Sequence, residues 1–185
     1  MRLLFASVLT TTLLIIARPA LAQAPLPPEP EGIALTPFIG VGFGGDLAGS
    51  AVAFGGALAY GLNSRWSVEG EFSSMPDATQ GDLIEFDTSI WSVSANVLYH
   101  FTAERMTPYV SGGIGVVNAN ADLEDSGLVV DDTSAEFAWN WGAGVKTALN
   151  NRFGLRGDLR YFTGDELVPT HWRIYGGVVI RRLGR

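Results

Sequence analysis

The sequence predicts an all-β fold: an eight-stranded, antiparallel, up-and-down transmembrane β-barrel that follows a cleaved signal peptide. Three observations lead there. An export signal stands at the N-terminus. From residue 33 onward apolar residues recur at every second position, the period of a strand and not of a helix. The connections between these alternating segments are long and tight by turns, as in a barrel with external loops at one end and turns at the other.

The N-terminal element comes first. Arg2 supplies a positive start, "LLFASVLTTTLLIIA" an apolar core, and "ALA" at Ala20 to Ala22 a small-x-small cleavage site, so residues 1–22 read as a signal peptide. Residues 23–32, "QAPLPPEPEG", are Pro-rich and extended, a short periplasmic spacer. Residues 33–185 form the barrel domain. Losing Arg2 and Arg18 with the signal takes the net charge from −7 to −9, which excludes a nucleic-acid partner, since such binding needs clustered Lys and Arg. The chain has no cysteine, so neither disulfides nor a thiolate metal site can form.

The strands are expected at 33–43, 50–61, 65–75, 86–101, 107–119, 135–149, 152–163 and 170–182. In "RWSVEGEFS" Trp66, Val68 and Phe72 lie on one face, with Ser67, Glu69, Glu71 and Ser73 on the other. "IWSVSANVLYHF" sets Trp91, Val93, Ala95, Val97, Tyr99 and Phe101 against Ser92, Ser94, Asn96 and His100. In "EFAWNWGAGVKTAL" Phe137, Trp139, Trp141 and Val145 oppose Glu136, Asn140 and Lys146. "RFGLRGDLRYF" places Phe153, Leu155, Leu159 and Tyr161 opposite Arg156, Asp158 and Arg160; "HWRIYGGVVIR" places Trp172, Ile174, Val178 and Ile180 opposite Arg173, Tyr175 and Arg181. A helix, turning 100° per residue, would scatter these charges over every face.

The faces point to a lipid solvent. Aromatics cluster near the ends of the apolar faces, and Tyr60, Trp66, Tyr99, Phe101, Trp139 and Trp172 are the expected interfacial girdle. The polar faces mix both signs with small residues. Glu69, Glu71, Lys146, Arg156, Asp158, Arg160 and Arg173 are the expected ion network of the lumen, because a buried charge without a partner costs several kcal/mol. An eight-stranded interior is just wide enough for side chains to fill it, so long ones must alternate with Gly, Ala and Ser.

The tight connections are "GLNS", "TAERM" and "NN"; the long ones include "PDATQGDLIE" and "NADLEDSGLVVDDTS". An even strand count with this alternation puts both termini on the periplasmic side. The long loops carry the acids Asp77, Asp82, Glu85, Asp122, Glu124, Asp125, Asp131, Asp132, Asp165 and Glu166, and the other end carries Arg65, Arg105, Arg152, Arg182 and Arg185.

With the export signal, the eight alternating segments and stretches such as "TPYVSGGIGVV", "WNWGAGVKTAL" and "FGLRGDLRYF", the chain resembles the small outer-membrane β-barrel family of OmpA/OmpX and opacity-protein type. The resemblance spans nearly the whole mature chain. It implies residence in the outer membrane of a Gram-negative bacterium, insertion by the barrel-assembly machinery, and a structural or adhesive surface role without a wide pore. Family members usually end on an aromatic residue; this chain ends "VVIRRLGR", which implies an internal insertion signal around Trp172 to Ile180 or a short tail after the last strand.

No catalytic residue, cofactor or metal site is expected. His100 in "LYHFT" and His171 in "PTHWR" lack the His-x-Ser pattern of barrel-type lipid A deacylases and read as interfacial histidines at the two rims. The acidic run Ala121 to Ser134 lacks the ligand spacing and central glycine of an EF-hand and reads first as a solvated loop; cation-bridged contact with lipopolysaccharide phosphates is the weaker, functional reading of its carboxylates. The expected function is therefore a non-enzymatic outer-membrane barrel with a polar, filled lumen and acidic outer loops, in contact with membrane lipid and lipopolysaccharide; its extracellular partner is unnamed by any motif. The alternatives are a narrow porin-like channel and a soluble periplasmic lipocalin-like barrel that binds a ligand inside.

Overall fold

A computed structural model describes residues 32–47, 49–76, 87–101, 106–122, 136–164 and 168–183. The expected signal peptide and nearly all of the spacer lie outside these residues, as do most of the loop acids. Eight strands follow in chain order: β1 (Gly32–Phe43), β2 (Ser50–Gly61), β3 (Trp66–Met75), β4 (Asp87–His100), β5 (Met106–Asp122), β6 (Glu136–Ala148), β7 (Phe153–Gly164) and β8 (His171–Leu183). Each pairs antiparallel with its sequence neighbours, and β1 pairs with β8 to close the barrel. The expected bounds agree to within three residues. The largest difference is at the far end of β5, where the β4–β5 ladder continues to Asp87 opposite Asp122.

Following the ladder from Ile33 through Tyr60, Val68, Val97, Gly112, Trp141, Tyr161 and Trp172 returns to β1 at Phe43, ten residues beyond the start. That stagger in an eight-stranded barrel corresponds to strands tilted by roughly 40° around a radius of about 8 Å. Because the stagger is even, the alternation of faces survives the full circuit.

The outward faces are apolar throughout: Ile39 is 65 % exposed, Ile114 57 % and Leu58 55 %. Charged residues are buried instead, with Arg160 at 0 %. This inversion would be unstable in water and is what a hydrocarbon solvent demands. Aromatics mark both edges of the apolar band. Trp66, Tyr99 and Phe101 pack edge to face at the end bearing the tight turns, with centroids 4.9 and 5.1 Å apart. Trp141, Tyr161 and Trp172 form a second cluster toward the other end. Between the belts the wall is lined with small residues. Pro37, Gly56, Gly70, Ala95, Gly112, Ala143, Gly157 and Gly176, one per strand, point outward near mid-height.

Two of the tight turns share a pattern, Leu-Asn-x-Arg-aromatic ("LNSRW" at 62–66 and "LNNRF" at 149–153), and a mechanism. Asn63 Oδ1 accepts from the backbone N–H groups of Arg65 (2.9 Å) and Trp66 (3.0 Å); Asn150 Oδ1 accepts from those of Arg152 and Phe153, both at 2.8 Å. The asparagine replaces ladder bonds that the chain gives up on reversing.

At the opposite end the lumen is apolar. Ala51, Ala53, Met75, Ile90, Val117 and Ala138 project inward, and Leu47 and Val168 fold over them from the loops. A pair of hydrogen bonds holds this cap: Asp46 N–H donates to the Thr170 carbonyl (2.7 Å), and Thr170 N–H donates to the Asp46 carboxylate Oδ2 (2.8 Å). Gly45 sits at φ 64° directly against Thr170 O, where a Cβ would collide at 1.9 Å.

Candidate functional site

Inside the barrel, β3 and β7 stand opposite each other across the lumen, each presenting charged residues at every second position. Arg156 of β7 pairs with Glu69 of β3, with one Nη donating to Oε1 at 3.2 Å and the other forming a shorter contact to Oε2. Arg160 donates to Glu69 Oε1 at 2.8 Å and its other Nη lies 3.0 Å from Glu71 Oε2. Asp158, between the two arginines on β7, accepts from Arg156 (2.9 Å) and from Arg160 Nε (3.1 Å). Arg173 of β8 closes the group by pairing with Glu71 and donating to Ser73 Oγ at 2.6 Å. Three carboxylates thus meet three guanidiniums, a neutral set in which every ion has an opposite ion in contact. In a low-dielectric interior that balance is what makes burial tolerable.

Aromatic rings enclose the ions. Tyr109 OH accepts from Arg156 Nε (2.6 Å) and donates to Asp158. Tyr175 OH donates to Glu71 at 3.2 Å. The Arg173 guanidinium lies 4.7 to 5.2 Å from the ring centroids of Phe162, Phe38 and Tyr175. Lumen glycines give these rings and chains their room: a Cβ on Gly144 would sit 2.2 Å from Tyr109 Oη, and one on Gly142 2.7 Å from Arg160 Cγ.

Of the seven residues expected in the network, six form this cluster. Lys146 is buried beside it on β6, nearer the tight-turn end, with Nζ 5.3 Å from the centroid of the Tyr109 ring. The six expected girdle residues all face outward. Tyr60, Trp66, Tyr99 and Phe101 lie toward the tight-turn end, and Trp139 and Trp172 toward the other. Sequence reasoning put Tyr175 on the polar face without a role in the network and missed Phe162, which alternation from Arg160 sends inward; it also missed Tyr109 and Phe38, whose strands carry no charged residue near them to mark the inner face. Trp141 and Tyr161 were on the expected outer face but not in the expected girdle.

The histidines differ from expectation. Neither is interfacial: His100 and His171 are both buried on the inner face. The alternation that sends Trp91 to Phe101 outward sends His100 inward, where its Nε2 lies 2.9 Å from Ser67 Oγ on the neighbouring strand. His171 stacks on Phe162 at 5.0 Å and hydrogen-bonds through Nδ1 to Pro169 O. The lumen is also not polar along its whole length, because its outer third is the apolar cap.

A family model of the outer membrane protein beta-barrel domain matches residues 10–174. The chain belongs to that family. Among curated proteins none matches the chain. As an outer membrane protein beta-barrel it has fold relatives among solved structures. Neisserial surface protein A is 16 % identical with a TM-score of 0.61, over 81 % of this chain and 96 % of that one. The N-terminal β-barrel domain of Pseudomonas aeruginosa OprF is 21 % identical with a TM-score of 0.56, over 81 % and 96 %. Ail, the attachment invasion locus protein of Yersinia pestis, is 16 % identical with a TM-score of 0.55, over 83 % and 100 %. This outer membrane beta-barrel therefore resides in the Gram-negative outer membrane, with its tight turns and both barrel termini at the end that is periplasmic in such proteins. The soluble lipocalin-like alternative is overturned, since its apolar face would line the interior and here it covers the exterior.

Proposed function

We propose that the protein is a non-conducting, non-enzymatic outer-membrane barrel whose role is structural and surface-interacting. One observation carries the reading: ion pairs from β3 to β7 cross the full diameter of the lumen at mid-height, with a further pair from β3 to β8 beside them. An eight-stranded barrel leaves little room around such a cluster for a continuous water column. Toward the outer end the same lumen is filled by the apolar cluster around Met75 and Ile90. Function then falls to the outer loops, whose sequence is acidic, and to the wall in contact with lipid. Lipopolysaccharide is the proposed neighbour of the loops, with divalent cations bridging carboxylates to its phosphates, and the barrel-assembly machinery is the partner during insertion. Two of the fold relatives bear names that denote surface exposure or attachment, which supports the same class of role.

Planar-bilayer recording tests the reading. The folded protein is expected to give no steady conductance. A stable, concentration-dependent open level from the unmodified chain would replace it with the narrow channel.

A further inference from the structure

On the outer wall, Leu58, Gly70, Ala95 and Ile114 stand in register across β2, β3, β4 and β5. The outer two are large and exposed; the two between them carry almost no side chain. The result is an apolar groove of about 590 Å³, which continues toward the tight-turn end past Tyr60 and Val68. Its floor is open: a Cβ built on Gly70 meets nothing within 4 Å. The volume falls inside the range of about 300–1,000 Å³ that small-molecule sites occupy.

Hydrocarbon, not water, is the solvent at this level, since Gly70 and Ala95 belong to the small residues near mid-height. A hollow there loses dispersion contacts unless a lipid tail fills it. Geometry also selects the leaflet. Gly70 stands five residues from Arg65, in the turn before β3. That separation is ~17 Å of extended chain, or ~13 Å along the axis of the tilted barrel. Half of a bilayer's hydrocarbon core is ~15 Å. A tail whose methyl end reaches Gly70 from the periplasmic side thus carries its headgroup at the level of Arg65. Arg65 is exposed, its turn hydrogen bonds use the backbone alone, and no described residue pairs with its guanidinium. A guanidinium at that height matches a lipid phosphate in charge and in hydrogen-bonding geometry.

We propose that this groove is a binding site for a phospholipid of the periplasmic leaflet, with an acyl chain along Gly70 and Ala95 and the phosphate on Arg65. A hollow floor and a cation at its rim set it apart from the rest of the wall. Arg152, in the matching turn between β6 and β7, carries the same charge, but the lining of the groove comes from β1 to β5 alone. The site depends on residence in the outer membrane and not on the surface role proposed above.

The full chain, folded in maltoside micelles, is given phosphatidylglycerol that carries a diazirine near the methyl end of one tail. After illumination the adducts are mapped by peptide mass spectrometry, and unlabelled phosphatidylglycerol is used as competitor. Labelling is expected to saturate and to concentrate on the segments around Gly70 and Ala95. Gly70→Leu and Ala95→Leu fill the groove from two different strands, and each is expected to abolish that labelling while keeping a heat-modifiable folded band. Arg65→Gln is expected to weaken the apparent affinity ~fivefold, and Arg152→Gln to leave it unchanged. Labelling spread evenly round the barrel, or unmoved by both leucine substitutions, is ordinary lipid contact and overturns the site. Equal effects of the two arginine substitutions overturn the headgroup assignment. Competition by lipid A but not by phosphatidylglycerol overturns the leaflet. A dimer in sedimentation that Gly70→Leu abolishes, in place of lipid adducts, gives the groove to a second copy of this chain.

Discussion

Arg160 on β7 donates to Glu69 on β3, 2.8 Å away, although the two residues sit halfway round the barrel from each other and 91 positions apart in sequence. No ladder joins these strands. The barrel's cross-section is held by this contact and its neighbours as much as by the wall. Arg160→Met removes the guanidinium that touches all three carboxylates of the cluster. It should cost ~3–5 kcal/mol, the usual loss on breaking a buried ion pair. Urea unfolding in detergent, followed by tryptophan fluorescence, measures this; a loss below ~1 kcal/mol would mean the cluster contributes little.

Charge balance, rather than any single pair, sets the stability of the lumen. Glu71→Leu leaves Arg173 with Ser73 as its remaining bonded partner in the cluster. The double substitution Glu71→Leu, Arg173→Leu restores two acids against two arginines. It is expected to be more stable than Glu71→Leu alone by ~2 kcal/mol or more, since a neutral apolar replacement avoids a stranded charge. Additive losses in the same unfolding assay would sink the idea.

Gly144 lies under the Tyr109 ring, with no room for a Cβ. Gly144→Ala should destabilise the barrel by ~1–3 kcal/mol through overpacking. Tyr109→Leu removes one of the two groups that block the space, at the expense of its bonds to Arg156 and Asp158, while the Gly157 carbonyl oxygen, 2.5 Å from the same Cβ position, stays in place. The double variant should therefore lose less than the sum of the two single ones, and a thermal-melt comparison of the four proteins decides it.

Depth in the bilayer should grade substitutions on the outer wall. Leu159 faces outward near mid-height and Trp172 within the outer aromatic cluster. Leu159→Arg is expected to cost ~2–4 kcal/mol, and Trp172→Arg, for its charge alone, ~0–1 kcal/mol. The readout is folding free energy in phospholipid vesicles; a larger charge effect at Trp172 would move the membrane's edge.

The asparagine turns make a smaller, local prediction. Asn63→Ala and Asn150→Ala each remove an acceptor that serves two backbone N–H groups on an exposed turn. Each should cost about 0.5–1.5 kcal/mol, with little change in the native barrel's heat-modifiable mobility on a gel.

The wall was legible in the sequence because a strand's two faces follow directly from position parity. Once Glu69 and Arg156 are assigned inward, the side of every residue on their strands is settled. Pairing across the lumen was not legible. Parity says that Glu71 and Arg173 share the interior, but only the ten-residue stagger decides that they meet there. The same limit hid the rings. Tyr109 and Phe38 read as apolar or interfacial by type, and their role appears only when the charged partner across the cavity is known. Parity had already put His100 on the polar face; what its height near a strand end obscured is that it is buried there, against Ser67, and not interfacial. The apolar cap depends on Leu47 and Val168, loop residues that no periodicity governs.

The ring of small outward residues, from Pro37 round to Gly176, narrows the barrel at its equator. Lipid tails reach this level from both leaflets and end there in methyl groups. Hydrocarbon can settle inward at that height without stretching, while the bulkier residues above and below guide the chains toward it. Between Ile33 and Phe43 the apolar band is about 25 Å tall along the barrel axis, given the strand rise and tilt. A protein of this profile is matched to a thin membrane, and in a thicker one the bilayer would have to dimple around it.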